Sequence, residues 1–332
     1  MSATARNRES EGHVSASLRL RERPEPRAGG FLGAACAAAA LFGLALVAPV
    51  MALLATLSPL PLIVHRIRGG PWSAVSAALV ATALLSALSP VQAVFFLVFL
   101  ALPALLIGET TARGRGIVKG AIWAFVLLAL EIGLVLIFAG PRLATVATAP
   151  FEETRSAEFL ELLRGSGWTQ EHIEAWTEQS KALGRAMAVV YPAVFVIMGA
   201  LVVLANAALL RAYLARRDPG WLEGGEFEGV RWSFALVPAF VLSGAAVLLP
   251  PLRHASYNVL LVVGFFFVLQ GLAVVAFYAR RLAGPPLLRL ALVFLVLLNP
   301  WAPQILALLG LFDLWFDFRR WAEPPEAQRG QG

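Results

Sequence analysis

Charged side chains are scarce: Asp, Glu, Lys and Arg make up 14% of these 332 residues, against 59% hydrophobic. A water-soluble chain carries roughly a quarter of its residues charged, so the shortage excludes an ordinary soluble globular protein of this length. Cysteine is almost missing. The single Cys36 lies inside an apolar run, which excludes an internal disulfide and a thiolate-held metal cluster. Histidine occurs four times, and His172 beside Glu171 has no second histidine four residues away, so a H-E-x-x-H zinc site is excluded. No G-x-x-x-x-G-K-[ST] loop is present to hold nucleotide phosphates, and no basic face interleaved with aromatics is present to hold nucleic acid.

Long apolar sequence fills the chain instead. Six stretches are apolar enough, and nearly long enough or longer, to cross hydrocarbon about 30 Å thick at about 1.5 Å per residue. They run approximately from Trp72 to Ser89, Val91 to Ile107, Lys119 to Ala139, Met187 to Leu210, Ser233 to Leu249 and Ser256 to Tyr278. Two further runs, Phe31 to Val64 and Pro286 to Phe318, each exceed thirty residues. Prolines interrupt both, at Pro49 and Ser58-Pro59-Leu60-Pro61 in the first and at Asn299-Pro300-Trp301-Ala302-Pro303 in the last. Proline removes a backbone donor and clashes with the preceding turn, so each run reads as two short helices, or as a helix and a re-entrant piece. The expected fold is all-α: a polytopic transmembrane helical bundle of eight to ten membrane segments with broken first and last runs.

Basic residues sit at the ends of the apolar runs and leave a net charge of +6. Residues 1–30 carry Arg6, Arg8, Arg19, Arg21, Arg23 and Arg27 among Glu, Ser and Pro and read as a disordered tail, as do residues 321–332. If each broken run returns to its starting side, 21 of the 27 basic residues share one face, and only Arg142, Arg155, Arg164, Lys181, Arg185 and Arg253 lie opposite. The rich face is then cytoplasmic, with both termini inside, in a cytoplasmic (inner) membrane. Residues 31–139 and 187–320 form two membrane halves. Residues 140–186 form a small helical extracytoplasmic insert, a cap over the membrane domain more than a lid. Pro150 is expected to open one helix there, Gly165-Ser166-Gly167 to end it, and Thr169 to cap a second that runs into the next span.

Glu131 is the outstanding polar residue, about twelve residues and roughly 18 Å into its span. A carboxyl group there can bind a cationic substrate group or take up a proton; structurally, it can be protonated and bonded to Asn206 or Gln270. Those two amides, also within spans, serve as glue between helices, or with Glu131 and Asn299 line a polar pocket for a small molecule. Near the C-terminus, Asp313 and Asp317 are expected to share a helix face. Paired in this way they resemble the end of the lipid-headgroup phosphotransferase motif, whose two upstream aspartates are missing. The simpler reading is an interfacial helix end in which Asp317 pairs with Arg320, beside Arg319. His65, Arg66 and Arg68 read as a basic turn that signals topology.

The opening LSPLPLIVHRIRGG and the closing NPWAPQILALLGLFDLWFDFRR together resemble the YybS-like bacterial membrane proteins, a family without an established activity, over approximately Phe31 to Arg320. That family is in turn distantly similar to the substrate-capture subunits of energy-coupling-factor vitamin importers. The resemblance implies a compact helical membrane protein that captures a small molecule. It also implies that small residues of the first span, here Ala35 and Ala39, meet the coupling subunit of such an importer. Binding or transport of a small molecule is the leading reading. A non-catalytic envelope scaffold comes second, and a lipid-processing enzyme using Asp313 and Asp317 third. No metal or cofactor is implied; the expected partners are the lipid bilayer, a small-molecule ligand and a membrane or ATPase protein.

Overall fold

The computed structural model describes residues 30–48, 51–217, 232–281, 299 and 301–322. All regular structure among them is helical. Five stretches are long and apolar enough to cross a membrane: Gly30–Val47, Pro90–Ala112, Ile117–Gly165, Gln170–Arg217 and Pro250–Arg281. Pro71–Ser86, Leu236–Ala246 and Ala302–Phe316 are apolar but shorter. The arginine tail, Pro49, Pro300, the first half of the closing run and the polar C-terminal tail lie outside the described residues. The helices group into two compact units, one drawn from within Met1–Glu131 and Met198–Gly224, the other from within Ile132–Ile197 and Gly225–Gly332.

In the first unit the opening run divides at its prolines into α1 (Gly30–Val47), α2 (Ala52–Leu57) and α3 (Leu60–Gly69). Pro59 and Pro61 have no N–H for the carbonyls one turn back, so the ladder breaks. The Ala55 carbonyl is satisfied locally, by the Ser58 backbone N–H at 3.2 Å and by Ser58 Oγ at 2.7 Å. Gly70, at φ 89°, turns the chain into α4 (Pro71–Ser86). Proline suits that first turn because its missing donor is not needed there. Ala35, Ala38 and Ala39 of α1 pack with Ala77, Ala78 and Ala81 of α4 in a cluster that includes Phe42, Leu85 and Phe96. Lipid is as apolar as the side chains, so close backbone approach and dispersion, more than water exclusion, hold such a seam. Ser89 Oγ accepts from the Gln92 N–H at 3.4 Å at the head of α5 (Pro90–Ala112). Pro103 cannot donate to the preceding turn, and the helix widens to π form over Phe96–Ala101, with the Leu102 N–H reaching back five residues to the Leu97 carbonyl.

The long helix α6 (Ile117–Glu153) kinks at Ala139 (φ −132°) and continues past Gly140-Pro141. Pro150, expected to open a helix, therefore lies in the last turn of one, because Pro141 already supplies the preset first turn of the stretch beyond the kink. Ser156 opens α7 (Ala157–Gly165), its Oγ accepting from the Phe159 N–H at 3.2 Å. Gly167 at φ 88° completes the turn, and Thr169 Oγ1 accepts from the His172 N–H at 3.3 Å at the head of α8 (Gln170–Arg217). This 48-residue helix runs on without interruption, as the sequence leads one to expect. It carries Pro192 because a neighbour repairs the ladder beside it. Asn258, on α10 (Arg253–Arg281) in the second unit, donates from Nδ2 to the Val189 carbonyl and accepts at Oδ1 from the Ala193 N–H, both at 2.8 Å. Those two groups are the i and i+4 partners of one turn, so the side-chain amide stands where their own bond would be.

The second unit also contains α9 (Leu236–Ala246) and α11 (Ala302–Phe316). Two glycines bring α10 and α11 into backbone contact. A Cβ on Gly271 would overlap the Leu306 carbonyl, and one on Gly310 the Phe267 carbonyl.

Candidate functional site

Glu131 lies 14 residues beyond Ile117 on α6, about 21 Å along the axis. Leu128 and Ile132 beside it on the helix are buried, whereas Leu130 and Leu134 are exposed. The Glu131 side chain is half-buried, and its Oε2 is sealed from solvent with no hydrogen-bond partner. A lone carboxylate ion sealed in an apolar span costs several kcal/mol of lost hydration.

Asn206 shares the first unit with Glu131 but bonds elsewhere. Its Nδ2 donates to the Thr56 carbonyl at 2.7 Å and to the Val202 carbonyl at 2.9 Å. Thr56 belongs to the last turn of α2, where carbonyls have no helical donor, so this amide staples the proline break to α8. Asn206 Oδ1 is buried without a partner.

Gln270, in the second unit, belongs to a different network. Its Nε2 donates to Asp313 Oδ2 at 3.0 Å, and its Oε1 accepts from the Trp232 N–H at 3.2 Å. Asp313 Oδ2 also receives the Arg319 guanidinium at 2.8 Å, while Oδ1 accepts the Phe318 N–H at 3.1 Å. Gln270, Asp313 and Arg319 are all buried. This corrects the expectation that Asp313 and Asp317 share a helix face. α11 ends at Phe316, and Asp317 turns left-handed at φ 44°, so the spacing of four no longer aligns the two carboxylates. Asp317 Oδ2 instead stands 3.9 Å from Arg320 Nε.

Asn299 is exposed, and its Oδ1 accepts from the Trp301 N–H at 2.9 Å, a turn leading into α11. Ala35 is fully buried and Ala39 nearly so, covered by this chain's own α4. The close approach their size permits is thus realised within the chain.

Two features escape sequence reasoning. Asn258, placed at a span edge, is the ladder repair described above. Arg66, read as a topology signal, is 5% exposed and pairs with Glu109, its Nε donating to Oε2 at 2.6 Å. Arg113, one turn beyond, pairs with the other carboxylate oxygen. Gly108 admits the arginine stem, since a Cβ there would stand 2.7 Å from Arg66 Cβ. Arg68 stacks 5.2 Å from the centre of the Tyr213 ring. The available signal was Gly108-Glu109, a small residue and an acid together at the end of an apolar run.

Apolar helices, intramembrane polar side chains and polar ends make up a membrane protein, and comparison with known families agrees. Residues 36–314 match the family described as "Predicted membrane protein (DUF2232)". The chain belongs to that family. The DUF2232 match includes α4, α5, α6, α8 and α10 whole, and with them Glu131, Asn206, Gln270 and Asp313. No curated protein and no solved structure matches the chain.

Proposed function

We propose that this DUF2232 protein binds or transports a small molecule across the cytoplasmic membrane, with Glu131 as its recognition point. One observation carries the reading: a carboxyl oxygen halfway along an apolar helix, out of water and without a donor. The favoured ligand group is a cation, such as a protonated amine, or a proton whose uptake drives a conformational step. Asn206 contributes a second buried acceptor, Oδ1. Gln270 and Asn299 already use their carbonyl oxygens to hold backbone N–H groups, which favours a structural role for both. The broken opening run supports the same reading, because interrupted helices offer backbone polar groups at membrane depth. So does the resemblance to YybS-like proteins and, through them, to importer capture subunits, which adds an ATPase partner as energy source. In this arrangement eight to ten segments cross the bilayer, both termini are cytoplasmic and residues 140–186 lie outside.

Gentle purification from native membranes followed by mass spectrometry of bound small molecules tests the reading. A stoichiometric ligand is expected, lost in Glu131→Gln while helical content is unchanged. An empty protein that instead brings down reproducible envelope proteins sinks it in favour of a scaffold, the alternative supported by the largely exposed helical segment of residues 156–172.

A further inference from the structure

The C-terminal end of α6 and the adjoining length of α8 border an open groove of about 400 Å³ within the second unit. Thr148, Glu152 and Arg155 form one wall, and Lys181, Gly184 and Arg185 the other. Between residues 140 and 188 the chain has seven acids and five bases, yet three of those bases and one acid line this groove. An acidic segment has gathered its positive charge in one place.

The frame around the groove is held by polar bonds between the two walls. Ser180 Oγ donates to the Phe151 carbonyl at 2.9 Å and lies 3.0 Å from Thr154 Oγ1, while Trp176 Nε1 donates to the Thr154 carbonyl at 3.2 Å. Gly184 sets the width, since a Cβ there would already touch Phe151 Cβ at 3.4 Å. Arg155 is fixed by its Nε, which donates to the Phe151 carbonyl at 2.8 Å. That leaves the terminal guanidinium nitrogens, the fork that matches a phosphate edge. Lys181 reaches Glu178 at 2.7 Å, and Arg185 is exposed.

Depth is the second consideration. The apolar stretch of α8 begins at Met187, and Tyr191 Oη donates to the Gly140 carbonyl at 3.1 Å, marking the same level on α6. Arg185 and Lys181 precede Met187 by two and six residues, about 3 and 9 Å along the axis. The headgroup layer of a bilayer is roughly 5–8 Å thick on each side of the hydrocarbon. Arg185 therefore stands at the depth of the headgroups, and Lys181 just beyond their outer edge.

We infer that this groove is a binding site for a phosphate ester, with Arg155, Lys181 and Arg185 holding the phosphate oxygens. Glu152 meets a hydroxyl or ammonium group on the same ligand. The chemistry is shared by a phospholipid headgroup and a soluble phosphate ester. It is independent of Glu131, and either reading can fail without the other.

The test uses the full-length protein in detergent with phosphatidylglycerol as one probe, read by native mass spectrometry, and sn-glycerol 3-phosphate as the other, read by calorimetry. Arg155→Gln/Lys181→Gln/Arg185→Gln is compared with Arg142→Gln/Arg164→Gln, which removes bases of the same segment that do not line the groove. Wild type is expected to hold one phosphatidylglycerol per chain, and the triple variant to bind at least about tenfold more weakly. The control should bind as wild type, and affinity should fall with added salt. Binding of glycerol phosphate alone, lost in the same triple variant, supports the site with a soluble ligand. If the triple variant misfolds, the exposed Arg185→Gln replaces it, with an expected loss of about threefold. Binding of neither probe, or equal loss in variant and control, overturns the proposal.

Discussion

Replacing Gly271 by alanine should push α10 and α11 apart, and the geometry sets the scale. A methyl there would stand 2.8 Å from Leu306 C and 3.0 Å from its Cα, where carbon atoms at rest keep about 3.5–4.0 Å. The atoms met are backbone, which cannot rotate away, so the helices must separate by roughly 1 Å, forfeiting a quarter to a half of the dispersion in each contact along the seam. The same shift stretches the Gln270–Asp313 bond from 3.0 Å to beyond the range of about 3.5 Å in which a hydrogen bond survives. Overpacking of this kind costs about 1–3 kcal/mol and the lost bond about 1 kcal/mol more. Gly310→Ala should cost a similar amount. The double variant should cost much less than the sum, because one displacement admits both methyls. Reversible unfolding in mixed dodecyl maltoside and SDS micelles, followed by circular dichroism, gives these values. Gly264→Ala on the same helix is the control, since a Cβ there meets nothing within 4 Å. It should be neutral or stabilising by up to about 1 kcal/mol. Gly271→Ala as stable as the control, or a double variant equal to the sum of the singles, refutes this account of the seam.

In the same unfolding assay, Asp313→Asn should cost about 3 kcal/mol, because Arg319 keeps its charge inside the protein and loses the Asp313 carboxylate. Adding Arg319→Met should recover part of that, and a double variant worse than Asp313→Asn alone contradicts a paired burial. Asn258→Leu strands both the Val189 carbonyl and the Ala193 N–H beside Pro192, for about 2–4 kcal/mol; a loss under about 0.5 kcal/mol shows that α8 does not depend on the repair. For topology, Cys36 is first replaced by serine, after which Ser166→Cys should react with a membrane-impermeant maleimide in intact cells and Arg115→Cys only after permeabilisation. The reverse pattern inverts the orientation.

The long apolar runs were legible because hydrocarbon imposes length and composition on a helix directly. The break at Pro59, the turn at Gly165 to Gly167 and the Thr169 cap were legible for the same kind of reason, each resting on the local chemistry of one residue. Reach was harder to read. α6 passes Ala139 and Pro141, and nothing local distinguishes a proline that ends a helix from one that starts its next stretch. Least legible were the partners of polar side chains. The pairing of Asp313 with Gln270 spans 43 residues of sequence, as does that of Arg66 with Glu109. A nearer candidate, Asp317, was visible for Asp313, and only the left-handed turn at Asp317 removes it. Glu131 was conspicuous as an acid inside an apolar stretch; that one of its oxygens is left without a donor depends on the fold around it.

The alanine seam between α1 and α4 has a consequence in conformational entropy. Alanine has no side-chain rotamers to freeze, so closing Ala35, Ala38 and Ala39 onto Ala77, Ala78 and Ala81 orders backbone alone. A leucine or isoleucine in their place would surrender roughly 0.5–1 kcal/mol of rotamer freedom per side chain. In water the hydrophobic gain outweighs that loss, but between helices already surrounded by hydrocarbon the gain is largely absent. A larger side chain in the seam is therefore penalised twice, by volume and by lost freedom. The smallest residues are the ones that let these two helices meet at least entropic expense.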